Sequence, residues 1–152
     1  MLTVLAAIVV LGSFATERMW SPLIGGVHAS VRFEVRLAEE MPTPGLRESK
    51  IVGTDRSIYL HQEVVVTNAD ISAARSVSRG SYYSIMVEFK ASGAEKMRAA
   101  TEGHIGRPVA ILLDGQVIMA PVLRSPIDVS AEITGRFTKA EAERLVRGII
   151  GT

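Results

Sequence analysis

The chain has no cysteine among its 152 residues. Disulfides, thiol nucleophiles and thiolate metal sites are therefore excluded, and an oxidising compartment is permitted without being required. Lysine and arginine total 17 against 16 aspartates and glutamates, a formal net charge of +1, so no overall field attracts nucleic acid or an anionic membrane. Aromatic residues make up only 5% of the sequence, which disfavours a stacking surface for single-stranded nucleic acid.

The sequence also lacks an apolar run long enough to cross a bilayer as a helix. The uncharged stretch from Leu2 to Ala15 would span roughly 21 Å as a helix, short of the roughly 30 Å hydrocarbon core. That length is typical of a secretory signal peptide, and Ser13 and Ala15 are suitably small for cleavage after Ala15. Because no basic residue precedes the run, a short membrane anchor and a buried element of the domain remain alternatives.

The length fits one domain with a sizeable core. We predict a signal peptide or short membrane anchor over residues 1–15, a linker over residues 16–30 and a single domain over residues 31–150.

The central element of that domain is predicted to be a β-hairpin. Val109–Leu113 is wholly apolar, as in a strand covered on both faces. Asp114-Gly115 follows, and this pair favours a type I′ turn, in which both central residues have positive φ. The return strand is predicted over Gln116–Leu123. Pro121 within it cannot donate to a ladder, so its nitrogen must face away from a neighbour or lie at a bulge.

Other strands are predicted by alternation of apolar and polar residues. They are Val31–Leu37, a pair formed by Ser57–Leu60 and Glu63–Val66, Tyr83–Phe89, and Ala131–Phe137 with a bulge or an edge at Gly135.

Three helices are predicted from a hydroxyl residue followed three positions later by an acid, the pattern of a capping box. The first begins at Thr67-Asn68-Ala69-Asp70 and runs to Arg75. The second begins at Ser92-Gly93-Ala94-Glu95 and runs to Ile105, before Gly106. The third begins at Thr138-Lys139-Ala140-Glu141 and carries an apolar stripe of Ala142, Leu145, Val146 and Ile149. One-faced strands mixed with helices indicate an α+β fold, a two-layer sandwich of a mainly antiparallel sheet with about three helices packed on it.

Residues capable of chemistry are scattered. His28, His61 and His104 are far apart and lack metal-ligand spacing, and His104 near a predicted helix C-terminus suits a positive charge there. Glu39-Glu40 ends a strand, where paired acids are usually solvated. Gly103-His104-Ile105-Gly106 lacks the lysine and hydroxyl of a phosphate loop.

Asp114 is explained by its hairpin turn, and Arg107 and Arg124 are expected to be solvated or ion-paired. No serine lies in a nucleophile elbow. We therefore assign no catalytic, cofactor-binding or metal-binding residue, expect no cofactor, and leave the partner-binding residues unassigned.

Five parts of the sequence resemble the head of the first periplasmic domain of SecD, a subunit of the bacterial Sec protein translocase. The most specific match is the block formed by Gly106–Gly115, Val117–Val122 and Pro126-Ile127. The closing strand and helix of the family are similar to Ala131–Thr138 with Glu141-Ala142. A looser match is found at Phe33–Leu37, Val66–Ile71 and Glu88–Ala94. The resemblance covers about residues 31 to 150.

The resemblance implies an extracytoplasmic α+β module that contacts polypeptide or an envelope or translocase protein. It supplies no catalytic residues, and the chain has no further apolar segment for proton coupling. We predict an exported, non-enzymatic binding module, periplasmic or anchored on the outer face of the inner membrane, with no nucleic-acid partner. The alternatives are a small periplasmic enzyme or ligand-binding protein whose site is not visible in sequence, and a membrane-tethered structural domain. A strand edge beside Pro121 or Gly135 is one place where an extended peptide could add.

Overall fold

The computed structural model describes residues 31–151. The predicted signal peptide or anchor over residues 1–15, the predicted linker over residues 16–30 and His28 lie outside the described residues. The elements in chain order are β1 (Phe33–Glu39), β2 (Arg47–Lys50), β3 (Ser57–Leu60), β4 (Val66–Thr67), a 3-10 helix (Asn68–Asp70), β5 (Ile71–Ser78), β6 (Tyr83–Phe89), α1 (Ala91–Glu102), β7 (Val109–Leu113), β8 (Gln116–Met119), β9 (Ser130–Phe137) and α2 (Lys139–Ile150). Among these residues, no helix combines the length and hydropathy needed to cross a bilayer.

The predicted β7–β8 hairpin forms, with β7 between β1 and β8, although the return strand ends at Met119 and not at Leu123. Asp114 has φ 50° and Gly115 has φ 80°, the two positive angles that the Asp-Gly pair indicates. All five residues of β7 are buried, and their side chains alternate between two separate hydrophobic clusters. Pro121 lies beyond the end of β8, and its carbonyl oxygen accepts a hydrogen bond from Val109 N at 3.0 Å.

The larger sheet has the order β2-β3-β1-β7-β8, and β4 pairs with β1. A parallel bridge between Ile51 and Val117 joins its two ends. The sheet therefore curls around the smaller of the two clusters, which contains Ala38, Ile51, Ile58, Leu60, Ala110, Leu112 and Val117.

The strand pair predicted at 57–60 and 63–66 is wrong in its pairing. β3 forms as expected, but it pairs with β2 and β1, while the second strand shrinks to Val66–Thr67 and pairs with β1. The β2 segment, Arg47–Lys50, is mostly exposed. It therefore carries no alternation of apolar and polar residues by which the sequence could reveal it.

The smaller sheet has the order β5-β6-β9. Its apolar face packs under α2 and against the inner face of β1 and β7, which together form the larger hydrophobic cluster. The α+β class and the antiparallel pairing are thus confirmed, although the strands form two sheets and not one.

The structure has two α-helices within residues 31–151, and the helix predicted from Thr67 to Arg75 is wrong. The capping box itself forms, since Thr67 N donates to Asp70 Oδ2 at 3.0 Å. It caps only a single 3-10 turn, because the chain from Ile71 onward pairs with β6. A cap contributes about 1 kcal/mol. The hydrogen bonds and the burial that β5 gains by pairing with β6 outweigh that contribution.

The second predicted helix begins one residue early and ends three residues early, as α1. Its N-cap is Lys90, which makes no side-chain cap, and Gly103 is the C-cap. Gly93 is where α1 touches the 3-10 turn, because a Cβ on Gly93 would lie 2.8 Å from Asp70 Cβ. The third predicted helix is confirmed as α2, with the Thr138–Glu141 capping box in place.

The two ends of the described domain meet. Val31 N donates to Gly148 O at 3.0 Å. Asn68 Nδ2 donates to Val31 O at 2.8 Å and to Ile149 O at 2.9 Å, and Asn68 Oδ1 accepts from Phe33 N at 2.8 Å. A single side chain therefore ties the first strand to the last helix.

Candidate binding cleft and the adjacent histidine cluster

A cleft of about 480 Å³ lies between α1 and the segment that joins β3 to β4. Its apolar lining comes from β1, from that connecting segment and from one face of α1: Leu37, Val64, Val65, Ala99 and Ala100. Three ionisable residues complete it: His61, Glu63 and Lys96. The cleft therefore combines an apolar surface with charged residues.

Two of the ionisable groups are bonded to partners that do not line the cleft. Lys96 Nζ lies 2.8 Å from Asp70 Oδ1. His61 Nε2 lies 3.0 Å from Glu39 Oε1. These two contacts hold Lys96 and His61 in place beside the cleft.

Asp70 is a buried carboxylate held by several donors. Burial alone would raise the pKa of Asp70, but the hydrogen bond from Lys96, the backbone hydrogen bond from Thr67 and the charges of Lys96 and Lys90 together lower the pKa below its usual value. The carboxylate thus stays ionised while it links the 3-10 turn to α1.

At one end of the cleft, Glu39 gathers three basic side chains. Its Oε1 lies 3.0 Å from His61 Nε2, 3.1 Å from Arg107 Nη1 and 4.0 Å from His104 Nε2. Burial would raise the pKa of Glu39, but the hydrogen bond from His61 and the charges of Arg107, His104 and His61 outweigh it and lower the pKa. A negative Glu39 therefore neutralises a basic corner of the domain.

Two of the histidines that are distant in sequence are neighbours in space. The rings of His61 and His104 meet edge to face, with centroids 5.7 Å apart. His104 lies just beyond the end of α1, where its Nε2 lies 2.9 Å from Ala38 O and 3.0 Å from Pro108 O. Its role is thus to bind two carbonyl oxygens inside the core, in addition to any favourable interaction with the helix end.

Glu39, His61 and His104 have the composition of a zinc site, and their donor atoms all lie within 4.8 Å of one another. The hydrogen bonds argue against that use. A carbonyl oxygen can only accept, so His104 Nε2 carries a hydrogen, and His61 Nε2 donates to the ionised Glu39. With Arg107 also on Glu39 Oε1, the geometry is that of a hydrogen-bonded support for the cleft wall.

Asp114 and Glu40, which were also considered from the sequence, have partners within the domain. Asp114 Oδ1 accepts from Arg32 N at 2.8 Å, and Asp114 N donates to Arg32 O at 2.8 Å, so the turn is tied to the start of β1. Glu40 pairs loosely with Arg56 at 3.7 Å. The absence of catalytic residues remains a prediction.

Sequence reasoning missed the Glu39 cluster because its members come from three separate segments, the end of β1, the residue after β3 and the turn after α1. The pairing of β1 with β3 and β7 brings them together. The spacing of these residues along the chain gave no signal of the Glu39 cluster.

Comparison with known proteins decides the family. Residues 46–149 match the family described as SecDF, P1 head subdomain. The chain belongs to the SecDF P1 head family. The resemblance inferred from the sequence is therefore confirmed.

Named relatives of this P1 head domain are protein translocase subunits. The chain is 31% identical to protein translocase subunit SecD of Aquifex aeolicus over 130 residues, 78% of this chain. It is 40% identical to protein translocase subunit SecD of Elusimicrobium minutum over 89 residues, 57% of this chain. It spans 26% and 19% of the length of these two relatives.

Solved structures show the same fold. A structure described as a membrane component SecDF that enhances protein export matches 91% of this chain and 69% of its own, with a TM-score of 0.66 and 23% identity. A crystal structure of SecDF in its super-membrane-facing form matches 82% of this chain and 19% of its own, with a TM-score of 0.63 and 23% identity.

Proposed function

We propose that this P1 head domain is an exported, non-enzymatic module that binds polypeptide during protein export. The observation that carries the proposal is the family match over residues 46–149, supported by relatives named as protein translocase subunits. On this proposal the domain lies in the periplasm or on the outer face of the inner membrane, and its partners are unfolded polypeptide or a translocase protein.

The cleft beside α1 suits an apolar side chain of such a polypeptide. Five of its eight lining residues are aliphatic, and Lys96 and His61, which also line it, are held by Asp70 and Glu39. Binding pockets are generally lined by apolar groups, with a few polar groups that fix orientation.

Peptide binding tests this proposal directly. We expect a labelled, unfolded peptide rich in apolar residues to raise fluorescence anisotropy when the domain is added. Ala100→Glu places a charge and extra volume on the cleft surface, so it should weaken binding about tenfold, the effect of roughly 1.4 kcal/mol.

The matched control is Ala140→Glu, at an exposed position of α2 away from the cleft. It should leave the affinity unchanged. If the wild-type domain binds no unfolded peptide, and pull-down from envelope extract recovers no protein, the proposed function is wrong.

The location has its own experiment. Cell fractionation with sequencing of the mature N-terminus should give an envelope protein that begins at Thr16 or, for an uncleaved anchor, a membrane protein that begins at Met1. Recovery of the protein from the cytoplasm would contradict export.

A further inference from the structure

The two sheets differ in how their edges are protected. The larger sheet has its ends joined, because Ile51 bridges Val117 and Val52 N donates to Val117 O at 2.9 Å. In the smaller sheet, the end strands β5 and β9 each have one partner strand within residues 31–151. An unpaired strand edge presents N–H and C=O groups to any extended chain that reaches it.

The outer edge of β9 is irregular. Its register with β6 shifts between Tyr83 and Ile85. Opposite this shift, Arg136 has φ 47°, and a Cβ on Gly135 would lie 2.3 Å from the ring of Phe137. A bulge of this kind twists an edge and ends pairing, so β9 is a poor template for an added strand.

The register of β5 with β6 shifts once, between Ile71 and Ala73, and then runs without a shift from Ala73 to Ser78, so the outer edge of β5 is regular over these six residues. Ile71–Ser78 contains no proline or lysine, two residues that commonly protect an edge. Its one charged side chain, Arg75, pairs with Glu88 of the neighbouring strand.

The direction of the β5 backbone groups follows from two hydrogen bonds of β6. Phe89 N donates to Val129 O, on the β9 side, and Lys90 N donates to Asp70 O, on the β5 side. Because successive N–H groups of a strand point in opposite directions, the N–H groups of Ser84, Met86 and Glu88 face β5.

The partners of those three residues in β5 are Val77, Arg75 and Ala73. The N–H groups of Ala74 and Ser76 must therefore point away from β6, and within residues 31–151 no backbone acceptor meets them. They form a regular pair of donors on the unpaired edge of β5, at two half-buried residues.

We propose that the outer edge of β5 binds an extended polypeptide as an added strand, with the N–H groups of Ala74 and Ser76 as donors. This inference rests on the proposed function, because it identifies how the polypeptide backbone is held. The bound chain would extend the smaller sheet, a recognition mode in which main-chain hydrogen bonds give affinity and alternate side chains give specificity.

A second copy of the domain fits this edge poorly. If two copies paired their β5 strands antiparallel and symmetrically, the two α2 helices would lie on the same face of the joined sheet. In each copy α2 packs chiefly on β5. Neighbouring strands are about 4.8 Å apart, whereas packed helices need about 8–10 Å between their axes. An unfolded segment carries no such helix, so it can approach where a folded copy cannot.

The uncovered part of α2 also indicates the side chains of the partner. Leu145 and Val146 are only partly buried against the core. A strand added to β5 would direct alternate side chains toward this helix. The preferred polypeptide is therefore extended, with apolar residues at alternate positions.

Amide hydrogen exchange tests the edge without any mutation. When the unfolded apolar peptide saturates the wild-type domain, exchange at Ala74 and Ser76 should slow by about tenfold or more. Ala73 and Arg75, which already donate to β6, should change little. If the peptide binds and Ala74 and Ser76 do not respond, this inference is overturned and the proposed function stands. If no peptide binds, this inference is overturned, and the proposed function is wrong as well when pull-down from envelope extract also recovers no protein.

Two substitutions at one position add a second readout. Ser76→Pro removes an outward N–H without breaking the β6 ladder and should weaken peptide binding about fivefold or more, whereas Ser76→Ala keeps the N–H and should bind as the wild type does. Circular dichroism checks that Ser76→Pro is folded. Equal binding by a folded Ser76→Pro overturns the inference, as does protection of Ala74 and Ser76 in the free domain or in a dimer formed through this edge.

Discussion

The larger and the smaller sheet use similar aliphatic residues but bury them differently. In β7 of the larger sheet all five side chains are covered, because each face packs on its own cluster. In β6 of the smaller sheet, Ile85, Val87 and Phe89 face the core. The other face carries Arg75–Glu88 and Arg79–Glu132 ion pairs in partial contact with solvent. Stability should therefore concentrate in the larger sheet, and availability for binding in the smaller one.

The strongest test of this comparison is a cavity in β7. Leu112 is fully buried in the smaller cluster, so Leu112→Ala should lower the free energy of unfolding by about 2–5 kcal/mol, through lost burial and the void left behind. Urea denaturation measures it. Val129→Ala, at a side chain 62% exposed, is the control and should change stability by less than about 0.5 kcal/mol. Similar losses for the two variants would contradict the burial described here.

The next effect is expected where the sheets meet. Asn68→Ala removes the donor to Val31 O and Ile149 O and the acceptor for Phe33 N. Leaving such groups without partners should cost about 1–3 kcal/mol. Thermal unfolding measures the loss, and proteolysis should show β1 and α2 opening together. A variant as stable as the wild type would mean that solvent satisfies these groups equally well.

Acid should weaken both regions gradually. The pKa values of Glu39, Asp70 and Glu132 are lowered in the folded state; for Glu132 the main cause is the hydrogen bond from Ser84, together with that from Arg79. The unfolded chain then binds protons more readily, so stability present above about pH 4–4.5 is lost as pH falls through the folded pKa values.

Asp70→Asn should make this acid dependence shallower while lowering stability at neutral pH, because the contact with Lys96 loses its charge. Urea denaturation at a series of pH values measures the slope. An unchanged slope below pH 4 would mean that Asp70 does not titrate as described.

The smallest effect is expected on the solvent face of the smaller sheet. Arg75 and Glu88 form an exposed pair, with side chains 60% and 42% accessible. Such pairs contribute about 0–1 kcal/mol, so Arg75→Ala should lower the free energy of unfolding by less than about 1 kcal/mol. High salt should reduce the difference further. A loss comparable with that of Leu112→Ala would show that this face contributes to the core.

The sequence predicted the parts of the fold that local chemistry determines. The Asp114-Gly115 turn, the doubly covered β7 and the Thr138 cap depend on neighbouring residues, and they formed as expected. Thr67-Asn68-Ala69-Asp70 carried the same capping signal, yet long-range pairing of β5 with β6 overrode it. The capping signal at Ser92 formed no cap, since Lys90 is the N-cap of α1. A local capping signal therefore determines neither the exact start of an element nor how it continues.

The candidate sites were harder to foresee for the same reason. The Glu39 cluster depends on the register of β1 with β3 and β7, and the open edge of β5 depends on which strand ends the smaller sheet. Neither register nor strand order can be read from residue spacing. The resemblance to the P1 head family supplied the fold but no site residues.

The meeting of the two ends of the domain has a mechanical consequence. Tension applied between Val31 and Ile149 would act first on the Val31–Gly148 hydrogen bond and on the contacts of Asn68. These bonds would break one after another, before the ladders of either sheet were loaded. The domain should consequently yield first at this junction, freeing Val31 and the last turn of α2, while the ladder of β1 with β7 and the β7–β8 hairpin hold.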